Sequence, residues 1–137
     1  MKILNKIHPG PTFSDIILLV VRLCVGASMI THGWPKMMKL FGDEPINFPD
    51  PLGVGIMASL ILTVFAEVIC SVFIALGLWT RAFAIPLFIT MLVAVLIVHS
   101  GDSFSDREGA IQYTLVYALL FVTGGGKFSL DRLFKMN

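Results

Sequence analysis

Four long apolar stretches divide the chain, about Ile16 to Thr31, Val54 to Trp79, Ala82 to Val98 and Gly109 to Thr123, separated by clusters rich in Gly, Pro and charged residues. The runs are continuous rather than alternating. That excludes the two-residue period of a membrane barrel strand and leaves helices as the structures that satisfy their own backbone in lipid. Each run approaches the ~20 residues that cross a ~30 Å hydrocarbon core, the fourth being the shortest. The pattern predicts an all-α fold, a four-helix transmembrane bundle of up-down topology. It forms one domain over residues 1–137, with helices near 14–33, 53–79, 82–99 and 108–124 and an interfacial tail over 127–137.

Local signals place the ends. Residues Met1 to Thr12 form an amphiphilic lead broken by Pro9, Gly10 and Pro11, and Ser14 or Asp15 can cap helix 1. His32, Gly33, Trp34 and Pro35 predict its termination, with the indole of Trp34 as an interfacial anchor. The connection from Trp34 to Pro51 carries Pro35, Pro45, Pro49 and Pro51 and begins with an amphipathic turn around Met37, Met38, Leu40 and Phe41; it is either a lid over that face or a connector. Trp79, Thr80 and Arg81 leave so little chain between helices 2 and 3 that the two must be antiparallel neighbours. Pro86 falls early in helix 3, where a missing donor costs least. Gly124 to Gly126 stop helix 4. Phe128, Leu130, Leu133 and Phe134 then alternate with Lys127, Arg132 and Lys135, the pattern of a lipid-surface anchor. No internal repeat is convincing.

Composition agrees: 56% of the residues are hydrophobic and 14% charged, outside the range of soluble domains. Lys2 and Lys6 before an apolar run with small residues at Gly26, Ala27 and Ser28 resemble a signal peptide, but a charge at Arg22 in the middle of that run predicts a retained helix. Lys2, Lys6, Arg81, Lys127, Arg132 and Lys135 fall on one side of the spans. Lys36, Lys39 and Arg107 fall on the other with Asp43, Glu44, Asp50, Asp102, Asp106 and Glu108, so both termini are expected in the cytoplasm. A net charge of +1 without a long basic run argues against a nucleic-acid partner. Cys24 and Cys70 lack CxxC spacing and suit inert apolar thiols; helix counting puts them at similar depth, which leaves a redox pair open.

The candidate chemistry lies in the polar residues of the spans. Arg22 and Glu67 occupy the middles of the first two helices, where an ionised group costs roughly 2.5–3.5 kcal/mol on insertion scales and so calls for a partner or a use. Counting from the cytoplasmic ends brings them within a guanidinium's reach. They form either a structural ion pair or part of a polar pocket between helices 1, 2 and 4, with Arg22 donating to a carbonyl and Glu67 exchanging a proton. At the opposite end His32, His99 and Glu108 converge on one membrane face, as polar caps, proton-relay groups or ligands of a divalent metal whose identity stays unknown. Gln112, Tyr113 and Tyr117 on helix 4 either bond across helices or line the pocket, where they would suit a planar, dioxygenated ring such as a quinone. Phe65, Phe73 and Phe88 fit lipid-facing or core positions better than stacking roles.

Read in order, Arg22, Gly26, His32, Gly33, Lys36, Glu67, Gly77, Thr80, Arg81, His99, Glu108, Tyr113, Gly124 to Gly126, Ser129, Leu130 and Asp131 form a set that resembles the DoxX family of small four-helix membrane proteins, over nearly the whole chain. The long Pro-rich connection is more extended than that pattern. The resemblance implies a multi-pass protein of a bacterial inner or plasma membrane, associated with quinone-linked oxidation or with thiol and oxidative stress beside a soluble oxidoreductase partner. It places Arg22, His32, Glu67 and His99 in a family pocket, with Lys36, Glu108 and Tyr113 secondary. On this reading the ligand is a quinone bound by Arg22, His32, Glu67, His99, Tyr113, Gln112 and Lys36, with Arg22 and Glu67 catalytic. No covalently bound cofactor is expected, since no haem, flavin or iron–sulfur motif occurs, and any oxidoreductase activity would need a partner's electrons. The competing readings are a non-catalytic scaffold, assembly factor or chaperone, and a small-molecule or proton transporter, for which four helices without repeat symmetry are few.

Overall fold

The computed structural model describes residues 12–135, so the lead with Lys2 and Lys6 lies outside the described residues except for Thr12. Among those residues the regular structure is all helical, without a strand: α1 (Phe13–Leu40), α2 (Ile56–Leu76), α3 (Thr80–Val98), α4 (Phe104–Thr123) and a short α5 (Leu130–Leu133). By length and hydropathy α1, α2 and α3 can each cross a membrane. α4 is 20 residues long but opens with Asp106, Arg107 and Glu108 and is not among those three. α1 through α4 surround a core drawn from all of them, including Met29, Cys70, Ile74, Leu87, Tyr117 and Leu120.

Small residues fix how closely α1 and α2 approach. A Cβ added to Gly26 would fall 2.9 Å from Ala75 Cβ, and one added to Gly33 would fall 2.7 Å from Val68 Cγ2 and 2.8 Å from Glu67 Cβ. Two glycines seven residues apart therefore form a stripe on which α2 lies almost backbone to backbone, the usual device for helix association in lipid, where apolar surface gives no drive. The contacts run upward in α1 as they run downward in α2, so the pair is antiparallel.

This contact also explains why α1 does not stop at Gly33. Gly33 is there for closeness to α2, and Pro35 is accommodated inside the helix, which continues to Leu40. The expected end near residue 33 is thus two turns too early, and those turns carry Lys36, Met37 and Leu40 over α2. At the other end Thr12, rather than Ser14, is the cap residue: its N–H and hydroxyl both donate to Asp15 Oδ2 at 2.8 Å. α3 starts at Thr80 and α4 at Phe104, each earlier than expected. Pro86 is accommodated within α3, and Thr90 Oγ1 donates to its carbonyl.

α2 and α3 each contain a π-helical turn, Phe65–Cys70 and Ala94–Val98. Such insertions widen a helix and re-aim its side chains, and they concentrate at functional sites. Between α2 and α3 Gly77 takes a left-handed conformation at φ 69°. A side chain there would collide with the Arg22 guanidinium, whose Nη1 lies 1.8 Å from the position of the missing Cβ.

The segment after α4 departs from the expected surface anchor. Asp131 is buried and accepts the N–H groups of Trp79 at 2.6 Å and Thr80 at 3.0 Å, while its own N–H donates to Gly77 O at 2.9 Å. Phe128 O accepts from Arg22 Nη2 at 2.5 Å, and Lys127 N–H donates to Asp15 Oδ1 at 3.0 Å. The tail is a clip across the end of the bundle, although Leu133 and Phe134 remain exposed as an anchor would require. Its electrostatics follow the helix dipoles, with a cation at the carboxyl end of α2 and an anion at the amino end of α3.

Asp131→Ala strands two backbone donors and removes the anion beside Arg22, and is expected to lower stability by about 3 kcal/mol. Denaturant unfolding in mild detergent measures this; Asp131→Asn, which keeps an acceptor, should lose less, and an alanine variant as stable as wild type would contradict the clip.

Candidate functional site

Glu67 sits in the π turn of α2, close to the middle of the helix, and is 2% exposed. Its partner is Lys36, not Arg22. Lys36 Nζ lies 2.7 Å from both carboxylate oxygens, a bidentate ion pair made available by the extension of α1 past Pro35. Arg22 is fully buried about 21 Å farther down α1, fourteen residues from Lys36 at ~1.5 Å each. There it donates to Phe128 O and, at 3.5 Å, to Ala75 O. The expected Arg22–Glu67 pairing fails because α1 overhangs the carboxyl end of α2: Gly26 already faces Ala75, so depths counted from the two helix ends do not share an origin.

A cavity of about 600 Å³ opens beside this ion pair, lined by α2, α3 and the Pro-rich connection. Its walls are almost wholly apolar; Lys36, Glu67, Ser59, Thr63, Thr90 and His99 supply the polar groups. Both π turns reach it, through Phe65, Ala66 and Glu67 on one side and Ala94 and Val98 on the other. This differs from the pocket anticipated between helices 1, 2 and 4. Phe65 lines the cavity, whereas Phe73 stacks on Phe83 at 4.2 Å and Phe88 packs on the core.

Of the two roles open to the Pro-rich connection, the geometry selects the lid. Phe48, Pro49, Pro51 and Leu52 line the cavity, and Ile46 and Phe48 pack with Met37 and Leu40 against Leu60, Val64 and Val68. Asp50 anchors this roof to α2, accepting from Ser59 Oγ at 2.8 Å, Gly55 N–H at 2.9 Å and Val54 N–H at 3.0 Å.

The remaining candidates separate. His32 is exposed and meets Tyr113 edge to face at 5.9 Å; Tyr113 shares a 2.6 Å hydrogen bond with Ser28 and stacks on the buried Tyr117 at 6.2 Å. That cluster joins α1 to α4 and does not line the cavity. Gln112 is exposed and donates to Glu108 at 3.4 Å. His99 stands at the cavity rim with Nδ1 2.6 Å from Asp102 Oδ2. His32, His99 and Glu108 are therefore not gathered, and among the described residues no three His, Cys, Asp or Glu side chains are placed to hold a metal. Cys24 is exposed and Cys70 buried, both as free thiols. Sequence reasoning offered the lid as one alternative but missed Ser59, Thr63 and the anchor of the roof at Asp50; Asp50 followed by glycines just before an apolar run was the available signal for an anchored loop.

Three membrane-length helices, a fourth packed against them and an ion pair on a buried mid-helix carboxylate beside an apolar cavity define a small multi-pass α-helical membrane protein. The DoxX family model matches residues 17–100, and the chain belongs to the DoxX family. It is 32% identical over 127 residues to "Inner membrane protein YphA" of Escherichia coli strain K12, covering 85% of this chain and 89% of that protein. It is 29% identical to an uncharacterized membrane protein of Mycobacterium tuberculosis (84% and 79% covered) and 28% identical to an uncharacterized protein of Haemophilus influenzae (89% and 93% covered). No solved structure matches the chain.

The Ser59 hydroxyl, with the N–H groups of Gly55 and Val54, holds the Asp50 carboxyl below the usual carboxylate range. The unfolded carboxyl, with a pKa of about 3.9, binds its proton more readily than the folded one. The roof's anchorage is thus complete above that value and lost as pH falls through the lower folded pKa. Cleavage within residues 41–55 by an acid-active protease should rise only at that acid end, and Asp50→Ala should show the open behaviour already at neutral pH; a pH-independent cleavage rate in both proteins would contradict it.

Proposed function

We propose that this protein is a quinone-binding accessory subunit of a redox or thiol-stress system, built as a four-span up-down bundle with both termini in the cytoplasm of a bacterial inner or plasma membrane. The observation that carries the reading is the Lys36–Glu67 pair in the wall of an otherwise apolar cavity of about 600 Å³. Cavities of this size and character take flat apolar bodies oriented by a few polar groups. A quinone ring fits that description, with Lys36 as donor to one ring oxygen and Glu67 as the group through which a proton reaches or leaves it. His99 at the rim, paired with Asp102, stands where such a proton would meet water. The electrons come from a soluble oxidoreductase partner. Arg22 drops out of this chemistry, since it does not line the cavity and its Nη2 and Nη1 donate to Phe128 O in the tail and Ala75 O on α2.

The orientation rests on Arg81, Lys127, Arg132 and Lys135 at the clipped end, opposite the acidic residues of the 41–55 and 99–108 connections. A scaffold reading draws on the completeness of the ion pair, because both Glu67 oxygens already accept from Lys36 and the bundle needs no ligand to hold them.

Titration of the protein in lipid nanodiscs with a short-chain ubiquinone distinguishes the two. Wild type should bind near one equivalent, and Lys36→Met and Glu67→Gln should each weaken binding at least tenfold while staying folded by circular dichroism. Equal binding by all three, or none by wild type, favours the scaffold.

A further inference from the structure

The cavity is not closed on all sides, and the residues around its opening differ from those at its polar end. Leu62 and Phe65 on α2, three residues apart, and Ile85 and Ile89 on α3, four apart, line the cavity while remaining 42–56% exposed on the outer surface of the bundle. Ile89 is the tenth of the 19 residues of α3 and Phe65 the tenth of the 21 of α2, so the gap lies halfway along two membrane-spanning helices. No charged or polar side chain stands among these four. Toward the end of the bundle that bears the roof, the route to water is covered by Phe48, Pro49, Pro51 and Leu52.

We infer that the site is loaded sideways from the bilayer through the gap between α2 and α3. Its ligand class is accordingly a membrane-dissolved molecule with an oxygen-bearing head and a hydrocarbon tail; the head lies at Lys36 and Glu67, and the tail runs out between Leu62, Phe65, Ile85 and Ile89. This rests on the quinone reading and adds to it the tail, the path and the side of entry. The physical case is one of matched surfaces. An exposed apolar opening at mid-depth costs nothing against lipid, whereas a water-borne ligand would have to displace a roof held by Asp50 and by the Phe48 packing. The tail would replace lipid chains along the gap, and the polar head would exchange hydrocarbon for hydrogen-bond donors.

The test uses full-length protein in nanodiscs and two probes sharing one ring, a tail-less benzoquinone and an isoprenoid-tailed benzoquinone carrying a photoactivatable diazirine on the tail. Photolysis of the tailed probe should label α2 and α3 peptides at or beside Leu62, Phe65, Ile85 or Ile89. Ile89→Trp, which fills the gap, should weaken its binding at least tenfold, and Ile97→Trp, on an exposed position of α3 away from the cavity, should not. Ring-only binding should be largely retained in Ile89→Trp. Labels confined to residues 41–55, or tailed-probe binding unchanged in Ile89→Trp with ring binding intact, would overturn lateral loading and leave the quinone reading standing. Binding of neither probe by wild type would overturn both.

Discussion

The ion pair between Lys36 and Glu67 is the constraint from which most of this structure follows. A carboxylate near the middle of a membrane helix is costly unless a cation reaches it, and a cation reaches it only if α1 continues past Pro35 and lies close against α2. Gly33 provides the closeness, with a would-be Cβ inside contact distance of Glu67 itself. The π turn over Phe65–Cys70 provides the aim, since Glu67 lies within it. Removing one partner would leave a charge among mostly apolar walls, with only hydroxyls and the rim His99 as other polar groups lining the cavity. The pair is therefore both a device that fixes the helices in register and the polar feature a ligand would find.

The opposite end of the bundle solves a different problem with the same chemistry. α1 overhangs α2 there, and the chain after α4 folds back into the step. Arg22 takes up carbonyls at the carboxyl end of α2 and in the tail, and Asp131 takes up the first amides of α3. Arg22 thereby supplements the backbone cap that Gly77 gives α2, and Asp131 supplies the cap that the Trp79 side chain does not give α3. Gly77 makes room for the guanidinium. This division of labour, structural charge at one end and cavity-facing charge at the other, corrects the idea that the two mid-helix charges belong to one site.

Much of this was legible from residue pattern. Continuous apolar runs located the helices to within a few residues apart from the far end of α1, Trp79 to Arg81 forced the α2–α3 hairpin, and Glu67 and Lys36 were both recognised as candidates. Pairing was not legible, because hydropathy locates spans without saying how far one helix slides past another. Gly33 before Trp34 and Pro35 carried a local stop signal that tertiary packing overrode: a glycine needed for close approach and a glycine that ends a helix are the same letter. The tail misled for a related reason. Its alternation of apolar and basic residues matches a lipid anchor, and Asp131, the residue that clips it to the bundle, is silent without knowledge of which amides lack partners. The cavity depended on two π turns and a folded-back loop, features set by long-range contacts.

The central claim is most directly tested by a magnetic-resonance distance between Lys36 and Glu67 in lipid, with 15N placed at the lysine Nζ and 13C at the glutamate Cδ. The structure, with Nζ 2.7 Å from both carboxylate oxygens, predicts strong dipolar coupling between these labels and none from the Arg22 guanidinium to the same carbon. Coupling to Arg22 with none to Lys36 would contradict the account and return the two mid-helix charges to a single site.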